Sequence, residues 1–281
     1  MFGSVEALLS ASAEKPLWRA VLEDDCQDRD VSPQASMDKM GGLWRAMKQS
    51  IIDYDPTRRS TSGLSGGEGV RMAGLSNSIC GRFIQEVIGI ALKMGEHNAC
   101  MGRIVAAPTA GACGVMPAAL IPLQRRDGLD DARMVECLYV AAGFGQVIAS
   151  RASISGAEGG CQAEVGSASG MTAAALVHAR GGTGAQMAAA CAMALQNVLG
   201  LVCDPVAGLV EVPCVKRNVM GAVNAMTCAD MALAGLEGGI PCDEVIDAMG
   251  AVGRTLPSSL RETGEGGLAA TPTGRRIAER R

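Results

Sequence analysis

Aromatic residues are the scarcest component of this 281-residue sequence. Two tryptophans, two tyrosines and three phenylalanines make up 2% of the chain, whereas hydrophobic residues account for 48% and there are 37 glycines. A core with so few large rings must be built from small side chains, which let helices approach one another closely. The alternating apolar pattern of strands is nearly absent. The sequence therefore predicts a mainly α fold, a helical domain rich in small residues whose loops carry the functional groups.

Clustered positive charge is also scarce. Lysine and arginine number 25 against 29 aspartates and glutamates, which gives a net charge of −4, and the basic residues are scattered apart from the terminal RRIAERR. Binding to nucleic acid requires a basic patch or stripe. No nucleic acid is therefore expected as a partner.

The first residues lack the pattern of a secretory signal. MFGSVEALLSASAEKPLW mixes acids, bases and small residues instead of placing a charged stretch before an apolar one. We expect a cytoplasmic protein, in which thiols stay reduced. Residues 181–203 form an uncharged run long enough to span a bilayer, but Ala, Gly and Met dominate it, and it carries Gln186 and Gln196. We interpret this run as a buried helix and expect no membrane partner.

The chain does contain eleven cysteines, and their settings differ. Cys137, Cys191 and Cys228 lie within apolar helical patterns, where a thiol serves as a small apolar filler. Three others lie in segments broken by glycine or proline, GAEGGCQAEVG and CDPVAGLVEVPC: Cys161, Cys203 and Cys214. Thiolates on irregular backbone can converge on a metal from different parts of the chain.

Three thiols allow several interpretations. A four-iron cluster held by three cysteines leaves one iron open, and an open iron acts as a Lewis acid. Zinc held by the same thiolates is an alternative, with water or a histidine as the fourth ligand, but neither His97 nor His178 has the spacing to complete it. A non-catalytic protein with the thiols used for packing is another alternative. The spacing alone matches no general metal-binding pattern.

The composition predicts two parts of the chain. We expect residues 1–55 to form an N-terminal helical segment and residues 56–281 to form the domain that carries the cysteine loops. Helices are predicted over residues 70–94, 134–150, 167–179 and 183–199, with short strands near 104–107 and 209–212. The tail LPSSLRETGEGGLAATPTGRR is either disordered or folded over a site.

Two loops are candidates for binding a substrate carboxylate or amine. One contains Ser65, Gly66 and Gly67, and the other, PTAGACG, contains Thr109 and Gly111. Amides exposed by glycine at the start of a helix are well placed to bind a carboxylate. Tight turns that need flexible backbone explain the same glycines.

Four long motifs together resemble the α chain, or catalytic domain, of the iron–sulfur-dependent L-serine dehydratases. They are GRIVAAPTAGACGVMPAAL, SGAEGGCQAEVGSASGMTAAAL, QNVLGLVCDPVAGLVEVPCVKRN and LRETGEGGLAATPTG. The resemblance covers roughly residues 60 to 275. It implies a [4Fe-4S] enzyme that converts L-serine to pyruvate and ammonia without pyridoxal phosphate, with the cluster on Cys161, Cys203 and Cys214. None of the five lysines has the Ser-x-Lys setting that resembles the pyridoxal dehydratases.

Two departures from the family pattern affect the expected assembly. The Ser-Ser-His-Thr-like motif that family members carry on a second domain or a partner chain is absent here, so the chain resembles one half of a hetero-oligomer with a β chain. The sequence ends in IAERR instead of a cysteine that could approach an open iron, so self-blocking of the site is not expected.

The general base is the least defined part of the site. Glu158 and His97 are weak candidates for the base that takes the α-proton of serine. We expect the histidine-bearing motif of the partner chain to supply the base instead. A lyase that resembles cysteine desulfidases, acting on the same cluster with a different leaving group, is the nearest alternative.

Overall fold

The computed structural model describes residues 1–280, and α-helices dominate it. The helices are α1 (Val5–Ala11), α2 (Leu17–Arg29), α3 (Pro33–Ile52), α4 (Glu68–Ala73), α5 (Gly81–Ala99), α6 (Val115–Asp127), α7 (Asp131–Arg151), α8 (Gly156–Gly159), α9 (Ser167–Ala179), α10 (Gly184–Gln196), α11 (Cys214–Leu233), α12 (Cys242–Thr255) and α13 (Pro272–Glu279). The prediction of a mainly α fold is confirmed.

Helix α9 forms the centre of the protein. Each of its residues is buried, as expected for a helix that is apolar on all sides. Helices α6, α7, α10 and α11 pack around it. A Cβ on Gly170 would lie 3.0 Å from the Cys191 sulfur, so the absence of a side chain lets α10 approach closely. The packing of small-residue helices that the composition predicts is therefore present.

The N-terminal helices share this core. Leu8 on α1 and Trp44 on α3 are fully buried, and α2 and α3 both contact α7. The Asp243 carboxylate, at the start of α12, accepts hydrogen bonds from the Val5 amide at 2.8 Å and the Glu6 amide at 3.1 Å. This carboxylate therefore caps α1. The division of the chain at residue 55 stays a prediction.

Three predicted elements are wrong. The helix predicted over residues 70–94 is interrupted after α4, and α5 begins at Gly81, whose left-handed backbone (φ 72°) a continuous helix does not allow. The strands predicted at 104–107 and 209–212 do not form within the described residues. The second segment closes a compact loop instead, since the Val206 amide donates to the Val212 carbonyl at 2.8 Å.

The long apolar segments are enclosed by protein. Among the described residues, α7 is the one helix long and apolar enough to cross a membrane, and 67% of its apolar window is buried inside the fold. The uncharged run 181–203 contains α10, a helix of only 13 residues. Both segments pack against the apolar side chains of neighbouring helices.

The C-terminal tail is folded. It forms short 3₁₀ turns at Ser258–Leu260 and Gly267–Ala270 and ends in α13. The tail packs against the loop that follows α10, and its Glu262 lies near the turn that precedes α9. These irregular segments together enclose the predicted cysteine site.

Candidate metal centre

Cys161 lies where a π-helical turn, Gln162–Gly166, begins and leads into α9. Single π turns occur frequently at functional sites. The buried Gln162 side chain accepts from the Gly200 amide at 2.9 Å and donates to the Met249 carbonyl at 3.1 Å. The Gln162 amide donates to the Leu201 carbonyl at 3.0 Å. These bonds hold Cys161 against the loop that carries Cys203.

Cys203 lies in that loop and is 3% exposed. Its amide donates to the Leu260 carbonyl at 2.9 Å, and its carbonyl accepts from the Glu262 amide at 2.8 Å. The next residue, Asp204, accepts from the Leu268 amide at 2.8 Å. The tail is thus fixed along the Cys203 loop as a strap, which we define as residues 260–268.

Cys214 is the first residue of α11, and Arg217 follows one turn later on the same face. The Arg217 guanidinium donates to the Val202 carbonyl and to an Asp204 carboxylate oxygen, both at 2.8 Å. It also lies beside the Cys161 thiol, whose pKa it lowers against the effect of burial. Arg217 therefore joins the three cysteine-bearing segments.

The three thiols affect one another's ionisation. Burial raises the pKa of Cys161 to about 11 and that of Cys214 to about 12. Burial also raises the pKa of Cys203 far above its usual range, and the Cys161 and Cys214 thiols raise it further. The sulfurs are therefore close enough to interact electrostatically. They are protonated without a metal, and a cation bound there would favour the thiolates.

The three thiols do not make up one tight group of ligand atoms. Among the described residues, the group whose ligand atoms all lie within 4.8 Å of one another contains Cys203 with Glu164 and Glu262, but neither Cys161 nor Cys214. Soft thiolates are the usual ligands of iron–sulfur clusters, so the three cysteines as a donor set fit such a group.

The loop that contains Thr109 and Gly111 borders this centre. A Cβ on Gly111 would lie 3.5 Å from a Glu164 carboxylate oxygen. The Thr109 hydroxyl is near enough to that carboxylate to lower its pKa, although the two groups do not form a hydrogen bond of good geometry. Asn218 fixes the loop to α11 by donating to the Gly111 carbonyl at 2.7 Å. The structure thus brings this predicted substrate loop to the cysteines.

The loop with Ser65, Gly66 and Gly67 lies further away and is linked to the centre through Glu211. Ser60 and Ser62 donate to the Glu211 carboxylate at 2.6 and 2.8 Å, and Glu211 precedes Cys214 by three residues. The Ser65 amide donates to the Ser60 hydroxyl at 3.2 Å. The connection is indirect, and the role of this loop stays a prediction.

The candidate bases lie outside the group of cysteines. The exposed Glu158 carboxylate accepts from the Ser153 hydroxyl at 2.6 Å. His97 lies beside Gly66, Tyr54 and Glu96 in a crevice that has no room for a water molecule. Burial lowers the pKa of His97, and its Nε2 has no hydrogen-bond partner among the described residues. Neither side chain is brought to the thiols.

Two further polar side chains near the helices have carboxylate partners. His178 is buried and lies 3.2 Å from the Glu136 carboxylate. Lys216 forms an ion pair with Glu68 at 2.6 Å.

Sequence reasoning missed the residues that hold the centre together. Arg217 and Asn218 follow Cys214 by three and four positions, a spacing that places them near it on a helix. Glu164 follows Cys161 by three positions. Helical spacing was thus an available signal for all three, whereas nothing local predicts that Glu262 of the tail reaches Cys203.

Comparison with known proteins finds one family across nearly the whole chain. The family model described as "Serine dehydratase alpha chain" matches residues 12–269. The chain is 56% identical over 285 residues to the "Probable L-serine dehydratase, alpha chain" of Bacillus subtilis (strain 168), covering 100% of this chain and 95% of the relative. It is 60% identical over 189 residues to the protein of the same name from Latilactobacillus sakei, covering 67% and 90%.

A longer relative shares only part of its length with this chain. "L-serine dehydratase 2" of Escherichia coli (strain K12) is 45% identical over 181 residues, which cover 64% of this chain and 40% of the relative. The family model nevertheless matches nearly the whole of this chain, including the three cysteine-bearing segments. The chain therefore belongs to the serine dehydratase α-chain family.

Proposed function

We propose that this chain is the α subunit of an L-serine dehydratase, a lyase that converts L-serine to pyruvate and ammonia with a [4Fe-4S] cluster on Cys161, Cys203 and Cys214. The observation that carries the proposal is the convergence of three buried thiols from three irregular segments in a member of this family. The donor set fits the cluster because soft thiolates are its usual ligands.

The cluster and the chain would divide the chemistry between them. When bound, such a cluster supplies an open iron, a Lewis acid for the departing β-hydroxyl. Arg217 holds the three cysteine segments in register through Val202 and Asp204. It also keeps a positive charge beside Cys161, which favours the thiolate form of the ligand.

The loop with Thr109 and Gly111 would bind the amino acid. The amides of Ala112 and Gly114 are already hydrogen-bonded, to Thr109 and to Asn218. The amides at the beginning of the 3₁₀ turn, those of Ala110 and Gly111, are left to bind a carboxylate. The chain would thus orient the substrate with groups that carry no charge.

A β chain would complete the enzyme as a hetero-oligomer. Both histidines of this chain have neighbours other than Cys161, Cys203 and Cys214: His178 lies beside Glu136, and His97 lies beside Tyr54, Glu96 and Cys100. We infer that the partner chain contributes the base that removes the α-proton. The cytoplasm is the proposed location, and the eleven free cysteines support this because thiols persist in a reducing compartment.

The test is an assay of pyruvate formation from L-serine by the chain reconstituted anaerobically with iron and sulfide, alone and with a co-expressed β chain. We expect a small fraction of the full rate from the chain alone and full activity with the partner. Full activity from the isolated chain would contradict the partner's role and would leave Glu158 and His97 as the candidates for the base. Faster turnover of L-cysteine than of L-serine would favour a desulfidase-like lyase, and absence of bound iron would favour a packing role for the thiols.

A further inference from the structure

Cys203 is shared by a second, tighter group of ligand atoms. Its sulfur, a Glu164 oxygen and a Glu262 oxygen all lie within 4.8 Å of one another, and the Glu164 oxygen is 3.9 Å from the sulfur. The three residues come from the loop after α10, the π turn before α9 and the strap. Such distances suit three ligands of one ion.

No cation in the described residues neutralises this group. Within the described residues, the polar neighbours of the Glu164 carboxylate are the Thr109 hydroxyl, the Glu262 carboxylate and the Cys203 thiol, none of which carries a positive charge. The nearby Arg217 is paired with Asp204. Two carboxylates held together without a counter-charge form an arrangement that a bound cation would stabilise.

The backbone around the group keeps space and access for an ion. A Cβ on Gly156 would lie 2.6 Å from a Glu164 oxygen and 3.1 Å from the Cys203 sulfur, so glycine leaves the space between these two ligands free. Glu262 is exposed, which gives a path from solvent. Its amide is bonded to the Cys203 carbonyl at 2.8 Å, so the strap holds the third ligand in position.

The geometry points to a mononuclear site in the cluster-free chain, in which Cys203, Glu164 and Glu262 bind one divalent first-row transition-metal ion. One soft thiolate together with two carboxylates favours a transition-metal ion over Mg²⁺ or Ca²⁺. Mg²⁺ and Ca²⁺ prefer oxygen ligands throughout, whereas Fe²⁺, Co²⁺ and Zn²⁺ accept both sulfur and oxygen. Binding releases the thiol proton as the sulfur–metal bond forms. The site would admit a single iron where a cluster is later held, but the inference does not depend on the cluster.

The test is a titration of the reduced, cluster-free chain with Co²⁺ under anaerobic conditions, followed by the near-ultraviolet thiolate-to-cobalt absorption. We expect about one ion per chain, in line with one set of three ligands. Cys203→Ser should abolish the absorption. Glu262→Gln, a change at an exposed residue, should weaken binding by about tenfold or more. Gly156→Ala should also weaken it, since the added methyl group fills the space between the ligands.

Glu265→Gln provides a matched control, because Glu265 is an exposed carboxylate three residues further along the same strap. It should bind Co²⁺ with the affinity of the unchanged chain. Unchanged affinity in Glu262→Gln, or absorption that survives Cys203→Ser and disappears in Cys161→Ser, would overturn the proposal, as would the absence of binding. Iron and sulfide content after reconstitution is measured separately, so failure here leaves the cluster proposal standing.

Discussion

The molecule gathers cysteines in two places, and the two groups differ in their surroundings. Cys191 and Cys228 lie within α10 and α11 and Cys242 begins α12, and the Cys242 thiol and burial raise the pKa of Cys191. Cys161 and Cys203 lie on irregular backbone and Cys214 begins α11, with Glu164 near all three and Arg217 beside Cys161 and Cys214. Both groups are largely buried. Burial and proximity of thiols are therefore common to the two groups, whereas a neighbouring arginine distinguishes the second.

The largest expected difference between the two groups is in iron binding. Cys161→Ser should lose the cluster and reduce activity by more than about 100-fold, since changes to groups that merely support ligands already cost 10- to 100-fold. Cys191→Ser should keep its iron, although a buried hydroxyl without a good partner would destabilise the fold by about 1–3 kcal/mol.

Iron, sulfide and pyruvate assays on the two variants measure this difference. Far-ultraviolet circular dichroism checks that both variants fold, with strong helical signal and little strand. Loss of iron in Cys191→Ser with retention in Cys161→Ser would reverse the assignment of the two groups.

The next largest effect is expected at Arg217, because within the described residues the cysteines on α10, α11 and α12 have no neighbouring arginine. Arg217→Lys keeps the charge but loses the fork that bonds Val202 and Asp204 together. We expect iron to be lost to a chelator about 10- to 100-fold more readily, as for other residues that orient ligands. Arg180→Lys is the control, because Arg180 forms an exposed ion pair with Asp127. Equal iron retention in both variants would remove Arg217 from the centre.

A smaller effect is expected where the substrate loop meets the centre. Thr109→Val should lower kcat/KM for L-serine by about tenfold, the value of one hydrogen bond of about 1.4 kcal/mol, while iron content stays normal. Thr227→Val is the control, since its hydroxyl bonds only carbonyls of its own helix. Kinetics unchanged from the parent chain would exclude Thr109 from substrate binding.

The smallest expected effect is the pH dependence of folding stability that a packing thiol, Cys137, contributes. Burial raises the pKa of Cys137 to about 12, against about 8.5 in an unfolded chain. Below pH 8.5 the thiol is protonated in both the folded and the unfolded state, so its contribution to the free energy of unfolding is fully present. Between the two pKa values only the unfolded state loses the proton. The free energy of unfolding therefore falls as pH rises, by up to about 1.4 kcal/mol per pH unit.

Urea unfolding at pH 8.5 and 10.5 measures this slope. Cys137→Ala should show a shallower decline than the parent chain, although it starts from lower stability. Cys80→Ala, which removes an exposed thiol, is the control. An unchanged slope in Cys137→Ala would show that this thiol does not contribute to the pH dependence.

The comparison also explains how far the sequence could predict the structure. The helix predicted at residues 167–179 has the bounds of α9, because small apolar residues without interruption specify a buried helix locally. The break before Gly81 was missed because the apolar spacing continues across it. The predicted strands failed because a strand depends on a partner, and no local pattern supplies one.

The sequence predicts which thiols belong to the candidate centre, but it does not predict which carboxylates do. Glycine and proline around Cys161, Cys203 and Cys214 indicated loops, and family resemblance indicated a cluster. Glu158 and Glu164 both flank Cys161, so the sequence does not show which of the two carboxylates reaches the centre. Contact between Cys203 and Glu262 depends on how the tail docks, which is a tertiary property.

Quantification of iron and sulfide after anaerobic reconstitution, with Mössbauer spectra of the product, tests the cysteine assignment most directly. The expected result for the parent chain and for Cys228→Ser is about four irons and four sulfides per chain with the spectrum of a [4Fe-4S] cluster. The same cluster should be absent from Cys203→Ser. A full cluster in Cys203→Ser, or a single metal without sulfide in the parent chain, would contradict a cluster held by Cys161, Cys203 and Cys214.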